Sequence, residues 1–258
     1  MPEISNEHQF LDAVKGRVAE WGYEVWWRGH GDEAWSLRPT VYRAKHGRDY
    51  ENQISLLFRR GATTRHHSLP QPDDPAGWLS LMQHYRLPTR LLDWTESPLF
   101  ALWFAVWSES GKDGALWALR PYQLNHHQLG QAAVLNPLDP RAQALITPVF
   151  EGGGASPPHT VAVYPEHVDI RLAVQFSAFT LHGNDVPLNA LPNASDFSVK
   201  FTIPAEAKRP LAETLDALGV RRSTIFPDLE NLAAELQGLE FHDMPPLPHI
   251  SPSPSAKS

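Results

Sequence analysis

The sequence predicts a single α+β domain with helices packed on a sheet. Three observations carry that expectation. Segments with apolar residues three and four apart are interspersed with short aromatic and β-branched runs, without the regular βαβ alternation of a parallel sheet. No internal repeat or linker interrupts the chain before a proline- and serine-rich end. From Leu99 to Trp107 every residue is apolar, as in a helix buried on all sides, and the run is too short to cross a bilayer. Residues 1–243 form the expected domain. Residues 244–258, ending PPLPHISPSPSAKS, are expected to be a disordered tail.

Taken in order, Glu7–Gly22 reads as a helix with Phe10, Leu11, Val14, Val18 and Trp21 inward and Gly22 as the stop. Tyr23–Trp27 reads as a strand entering a glycine turn at Arg28-Gly29-His30-Gly31. Tyr50–Thr64 is helical, Ser68–Gly77 a loop, and Trp78–Tyr85 a second short helix. Ser97 and Pro98 give the apolar run an N-cap and a first-position proline. Strands are expected at Gly114–Leu119, Val161–Tyr164, Ala178–Leu181 and Ser198–Ile203, with a turn or two of helix at Asp169–Gln175. Ala205–Leu218, stopped by Gly219, and Leu229–Gln237 are the last helices. Signals between Tyr122 and Gly154 are mixed.

Composition narrows the function classes. Without cysteine, disulfides, thiol nucleophiles and thiolate metal sites are all excluded. That absence suits a cytoplasmic protein, and the opening MPEISNEHQF has no basic-then-apolar leader. The net charge of −7 supplies no general attraction to nucleic acid or anionic membranes, although a local basic groove is compatible with it. Neither His66-His67 nor His126-His127 has metal-ligand spacing, so no metal is expected. No G-x-S-x-G elbow and no G-x-x-x-x-G-K-[ST] loop occurs.

What remains is a set of polar residues embedded in core-like sequence. His84, Thr89, Arg90, Asp93 and Thr95 precede the apolar run, Arg28 follows an aromatic segment, and Arg171 with Gln175 precedes another strand. Buried polar groups left unpaired cost about 1–3 kcal/mol each, so these side chains either satisfy one another or meet a ligand. Arg28 beside Gly29 is placed to offer its planar fork to a phosphate, or to tie strands to a carboxylate such as Asp93. His84 and Asp93 have the chemistry of a base and its orienting acid.

Trp27-Arg28-Gly29 and Gln83-His-Tyr-Arg-Leu-Pro-Thr-Arg-Leu-Leu-Asp-Trp-Thr95 resemble the motifs of the FRG domain family. Trp27 stands where that family has Phe or Tyr, and Arg86 where it commonly has glycine. Ser97–Ala105, Arg171–Gln175, Phe179 and Ser223–Leu229 extend the resemblance along most of the chain. The order of anchors is similar to that of ADP-ribosyltransferases, which implies a split β-sheet core and NAD as substrate. On that resemblance Arg28, His84, Asp93, Thr95 and Gln175 are the catalytic candidates. Trp27, Arg28, Gly29, Arg90, Trp94 and Thr95 are the NAD-binding candidates, with Trp27 or Trp94 stacking on nicotinamide. The implied reaction passes ADP-ribose to a macromolecular acceptor, protein or nucleic acid, in a toxin or phage-defence setting. A non-catalytic nucleotide- or nucleic-acid-binding module and a His84–Asp93 hydrolase are the alternatives.

Overall fold

The computed structural model describes residues 2–22, 24–43, 49–65, 69–152, 156–165 and 177–237. Helix and strand are mixed around one open sheet of six strands. These are β1 (Trp26–His30), β2 (Leu91–Thr95), β3 (Gly114–Leu119), β4 (Thr160–Val163), β5 (Ser177–His182) and β6 (Ser198–Ile203), in the spatial order β4-β5-β2-β1-β3-β6. Every neighbouring pair is antiparallel. The expectation of a single α+β unit agrees with this. Expectations for the tail from 244 onward, for Asp169–Gln175 and for His66-His67 lie outside the described residues.

The helices follow their local signals. Helix α1 (Glu7–Trp21) is capped by Asn6, whose side chain accepts from the Gln9 amide at 3.0 Å, and stops at Gly22 with φ 87°. Helix α2 spans Tyr50–Ala62. Helix α3 (Pro75–His84) begins three residues before the expected start, because Asp74 caps it and Pro75 suits a first helical position. Helix α4 (Pro98–Val106) is the apolar run, capped by Ser97. The mixed stretch resolves into α5 (Pro121–Leu129), α6 (Pro140–Ile146) and α7 (Pro148–Glu151), each opened by a proline. Helices α8 (Ala205–Ala217), α9 (Arg222–Ile225) and α10 (Leu229–Gln237) finish the described chain.

Strand alternation assigns the layers. Trp27, Leu116, Ala118, Phe201 and Ile203 face α4 and α8 in one core. Leu91, Phe179, Leu181, Val161 and Val163 continue the same face beneath α3, α6 and α7. The opposite face carries Trp26, Leu92, Trp94, Trp117 and Leu119 against Leu124 of α5 and a loop containing Leu188 and Phe197.

The first strand departs from expectation. It runs through Arg28-Gly29-His30 rather than turning there, in continuous register from Trp26↔Leu119 to His30↔Ala115. Gly29 is a point of close approach. A Cβ placed on it would lie 1.9 Å from the Ala101 carbonyl oxygen and 2.5 Å from the Ala105 nitrogen of α4. Both obstacles are backbone, so the whole helix would have to withdraw. We expect Gly29→Ala to lose about 1–3 kcal/mol in urea unfolding; a variant as stable as wild type would mean that α4 adjusts freely.

The sheet is also divided. Strands β2 and β5 pair over five positions, as do β1 and β3, but β1 and β2 share one register pair, Trp27↔Thr95. Beyond that pair the two three-stranded halves part. The gap lies beside Arg28 and Asp93.

Candidate functional site

A cleft of about 490 Å³ opens where β1 and β2 diverge. By alternation Arg28 and Trp94 leave the sheet on one face, whereas Asp93 and Thr95 leave on the other. The parted strands let one cleft collect all of them, together with residues of α4 and α9.

Arg28 is held from two sides by electrically neutral acceptors. Its Nε–H donates to His30 Nε2 at 3.0 Å, and Nη1 donates to the Asp93 backbone carbonyl oxygen at 2.6 Å. Since His30 Nε2 accepts, the ring proton sits on Nδ1 and donates to the Trp35 carbonyl at 3.2 Å. Burial drives His30 down to about 2, reinforced by Arg28 and Arg43, so the imidazole stays neutral. The Asp93 carboxylate is 4.0 Å from Nη1 and its side chain is 59% exposed. It screens Arg28 weakly. Burial therefore dominates and lowers the guanidinium to about 10, although Asp93 acts in the other direction.

Asp93 is fixed by the motif that precedes it. Gln83 Nε2 donates to both carboxylate oxygens at 2.9 Å, and the Thr89 hydroxyl donates to Gln83 Oε1. The Leu91 amide donates in turn to Thr89 Oγ1 at 3.2 Å. Gln83 and Thr89 thus orient the one carboxylate among the described lining residues. His30 and Gln83, which hold Arg28 and Asp93, are missing from the site residues expected from sequence. For His30 a signal existed: two residues along a strand from Arg28, it must share that face. For Gln83, nothing short of the fold brings its amide to Asp93.

Other expected site residues separate. Thr95 lines the cleft, with its hydroxyl accepting the Ser97 amide at 3.0 Å. Gly29 borders the cleft too, but its missing side chain serves the packing of α4. His84 is not among the lining residues; its ring meets Tyr85 edge-on at 5.0 Å. Gln175 lies outside the described residues, and Ser177, two positions later, borders the cleft.

Arg90 is a correction. Its guanidinium grips Glu51 at 2.9 and 2.8 Å and donates to the Leu145 carbonyl at 2.6 Å and Ser156 Oγ at 2.7 Å. Burial alone would lower its pKa, but the Glu51 carboxylate raises it, the reverse of Arg28. Its charge is already answered, so Arg90 braces β2 against α2 rather than lining the cleft. The two tryptophans stand at the edge of the cleft. Trp27 and Trp94 are 2% and 3% exposed, with their rings committed to separate cores and the Trp94 Nε1–H donating to Thr180. The accessible aromatic wall comes from α4 and α9. Trp107 is 56% exposed, unlike most of the apolar run, and stacks on Trp103 at 4.7 Å. Phe104 and Phe226 meet edge to face at 6.0 Å.

This network lies inside a segment that can be compared with known families. Residues 23–114 match the family model of the FRG domain. Over those residues the chain is similar to the FRG domain. The matched segment runs from the approach to β1 to the first residue of β3, and so contains Arg28, His30, Gln83, Thr89 and Asp93. It stops short of Ser223–Leu229, where the sequence resemblance extended. No curated protein and no solved structure matches the chain. Among the described residues no helix is long and apolar enough to cross a membrane, and no group of three or more His, Asp or Glu side chains could hold a metal.

Proposed function

We propose that the cleft binds NAD and that the protein transfers its ADP-ribose to a macromolecular acceptor. The observation that supports this best is the under-neutralised cation at the parting of the strands. Among the described residues Arg28 is desolvated, oriented by neutral acceptors, and opposed by one solvent-screened carboxylate. An anion entering the cleft recovers attraction that water and Asp93 do not supply. A pyrophosphate suits the planar fork, and the aromatic wall offers apolar surface to a base or nicotinamide ring. The donor set therefore fits a dinucleotide.

When NAD is bound it supplies an activated glycosidic bond. That bond breaks with its electron pair passing to the nicotinamide ring, an acceptor nucleophile bonds to the anomeric carbon, and the acceptor's proton leaves to a base. Arg28 anchors the diphosphate, Thr95 borders the ribose side, and Asp93, held open by Gln83, is the carboxylate available to receive the proton. The scarcity of acids also favours a second reading. With Asp93 the one carboxylate among the described lining residues, the same cleft suits a module that retains a nucleotide without turnover.

Titration with NAD and assay of released nicotinamide separate these readings. We expect Arg28→Ala to weaken NAD binding by about tenfold to a hundredfold, the scale of a lost charge-assisted hydrogen bond. Arg28→Lys should rescue little, since an ammonium lacks the fork. Unchanged NAD affinity in a folded Arg28→Ala protein removes NAD from this cleft, and tight NAD retention without nicotinamide release favours the binding module.

A further inference from the structure

Arg86 adopts φ 59°, in the left-handed region that strains any residue with a Cβ. That conformation closes α3: the Arg86 amide donates to the Gln83 carbonyl at 2.9 Å and the Leu87 amide to the Met82 carbonyl at 3.0 Å. Glycine usually stands in such a cap, so the cap explains the backbone but not the long cation carried at the cleft rim. Among the described residues no carboxylate forms an ion pair with the Arg86 side chain. Its guanidinium lies 5.6 Å over the Phe226 ring and borders the cleft. Arg222, from α9, borders the same mouth, with its Nε–H on Asn231 at 2.7 Å, and the open face of Trp107 stands with them.

We propose that Arg86, Arg222 and Trp107 form a docking site for single-stranded nucleic acid at the mouth of the cleft, which makes nucleic acid the acceptor class of the transferase reading above. Two arginines flanking an exposed indole match a repeating ligand of phosphates and stackable bases. Charge complementarity is local. Among the described lining residues three arginines stand against one aspartate, although the whole chain is at −7. An acidic peptide would answer the arginines but leave the indole face unused. A duplex keeps its bases stacked on one another and unavailable to Trp107. Arg86 is the residue that sets this specificity, since it carries its charge to the mouth from a position that glycine would occupy without strain.

The test uses the full chain and a fluorescein-labelled oligothymidine of about ten nucleotides, within the usual site sizes. Anisotropy should report binding that weakens as salt rises. Arg86→Gly should raise the oligonucleotide Kd about tenfold and flatten the slope of log affinity against log salt by about 0.7, the value of one single-strand phosphate contact. Its melting temperature should stay level or rise by up to about 3 °C as the strain is released. A merely structural Arg86 would instead lower the melting temperature and leave the salt slope unchanged. Arg86→Lys should keep the salt slope, and Trp107→Ala should weaken binding without altering it. Loss of NAD binding in Arg28→Ala with oligonucleotide binding retained separates the two sites, and oligonucleotide binding in a protein indifferent to NAD would sink the transferase reading alone. No oligonucleotide binding, or binding of polyglutamate in its place, overturns the proposal.

Discussion

Arg90→Ala is expected to lose about 3–5 kcal/mol of stability, because it strands a buried carboxylate. Glu51 is 5% exposed and Arg90 8% exposed, and their side chains meet at 2.8 Å. The Arg90 backbone amide also donates to Glu51 at 2.9 Å, so the carboxylate fixes both the main chain and the side chain at the start of β2. Truncating the arginine leaves Glu51 without its cation and the Leu145 carbonyl without its Nη1 donor. The double variant Glu51→Ala/Arg90→Ala should cost less than the sum of the single changes, since it removes the stranded charge as well. Urea unfolding of the four proteins measures the coupling. NAD titration below the melting transition should find the Arg90→Ala affinity close to wild type. A stable Arg90→Ala protein with lost NAD binding would instead place Arg90 in the proposed NAD site.

Acid should destabilise this protein well before its carboxylates titrate. His30 and His182 are 1% and 0% exposed. Burial, with the Arg28 charge second, lowers them from 6.5 to about 2 and about 3. Both folded values lie below the unfolded one, so the unfolded chain takes up protons that the fold refuses. Stability is then complete above about pH 6.5 and falls as pH drops. Between pH 7 and pH 5 each histidine contributes a loss of about 2 kcal/mol, and the pair about 4 kcal/mol. Asp32, Glu33, Asp139 and Glu235, each lowered first by a side-chain hydrogen bond, add their losses only at lower pH, near the unfolded carboxylate range. Equilibrium unfolding at pH 7, 6 and 5 checks this, with an expected uptake of about two protons on unfolding at pH 5. A stability that is level across that range would mean that one or both rings are charged in the fold. The Arg28 orientation depends on a neutral His30, so acid should remove the folded population rather than loosen the site within it.

The local elements were legible wherever the chain states its own boundary conditions. Asn6 and Gly22 frame α1, Ser97-Pro98 opens α4, and the alternation of Ser198–Ile203 is that of β6. The motif from Gln83 to Thr95 marked a region of partnered polar side chains, since polar residues among core-like neighbours must be partnered whatever the fold. The strand at Arg28-Gly29-His30 was not legible. A glycine reads locally as a turn, and only the backbone of α4 pressed against Gly29 makes it an interior strand position.

The sequence by itself determined the single α+β unit, its local caps and its concentration of buried polar side chains, because periodicity, proline, glycine and capping residues act over a few positions. Which arginine is left without a close carboxylate partner among the described residues was decided only by the tertiary structure. Arg28 and Arg90 look alike in the chain, each beside core residues and each within reach of an acid in principle. Glu51, 39 residues away from Arg90, closes on one of them, while Arg28 receives a neutral histidine, a carbonyl and a carboxylate turned to solvent. The difference is one of long-range charge pairing in a low-dielectric interior, which depends on where elements meet and not on what borders each residue in sequence.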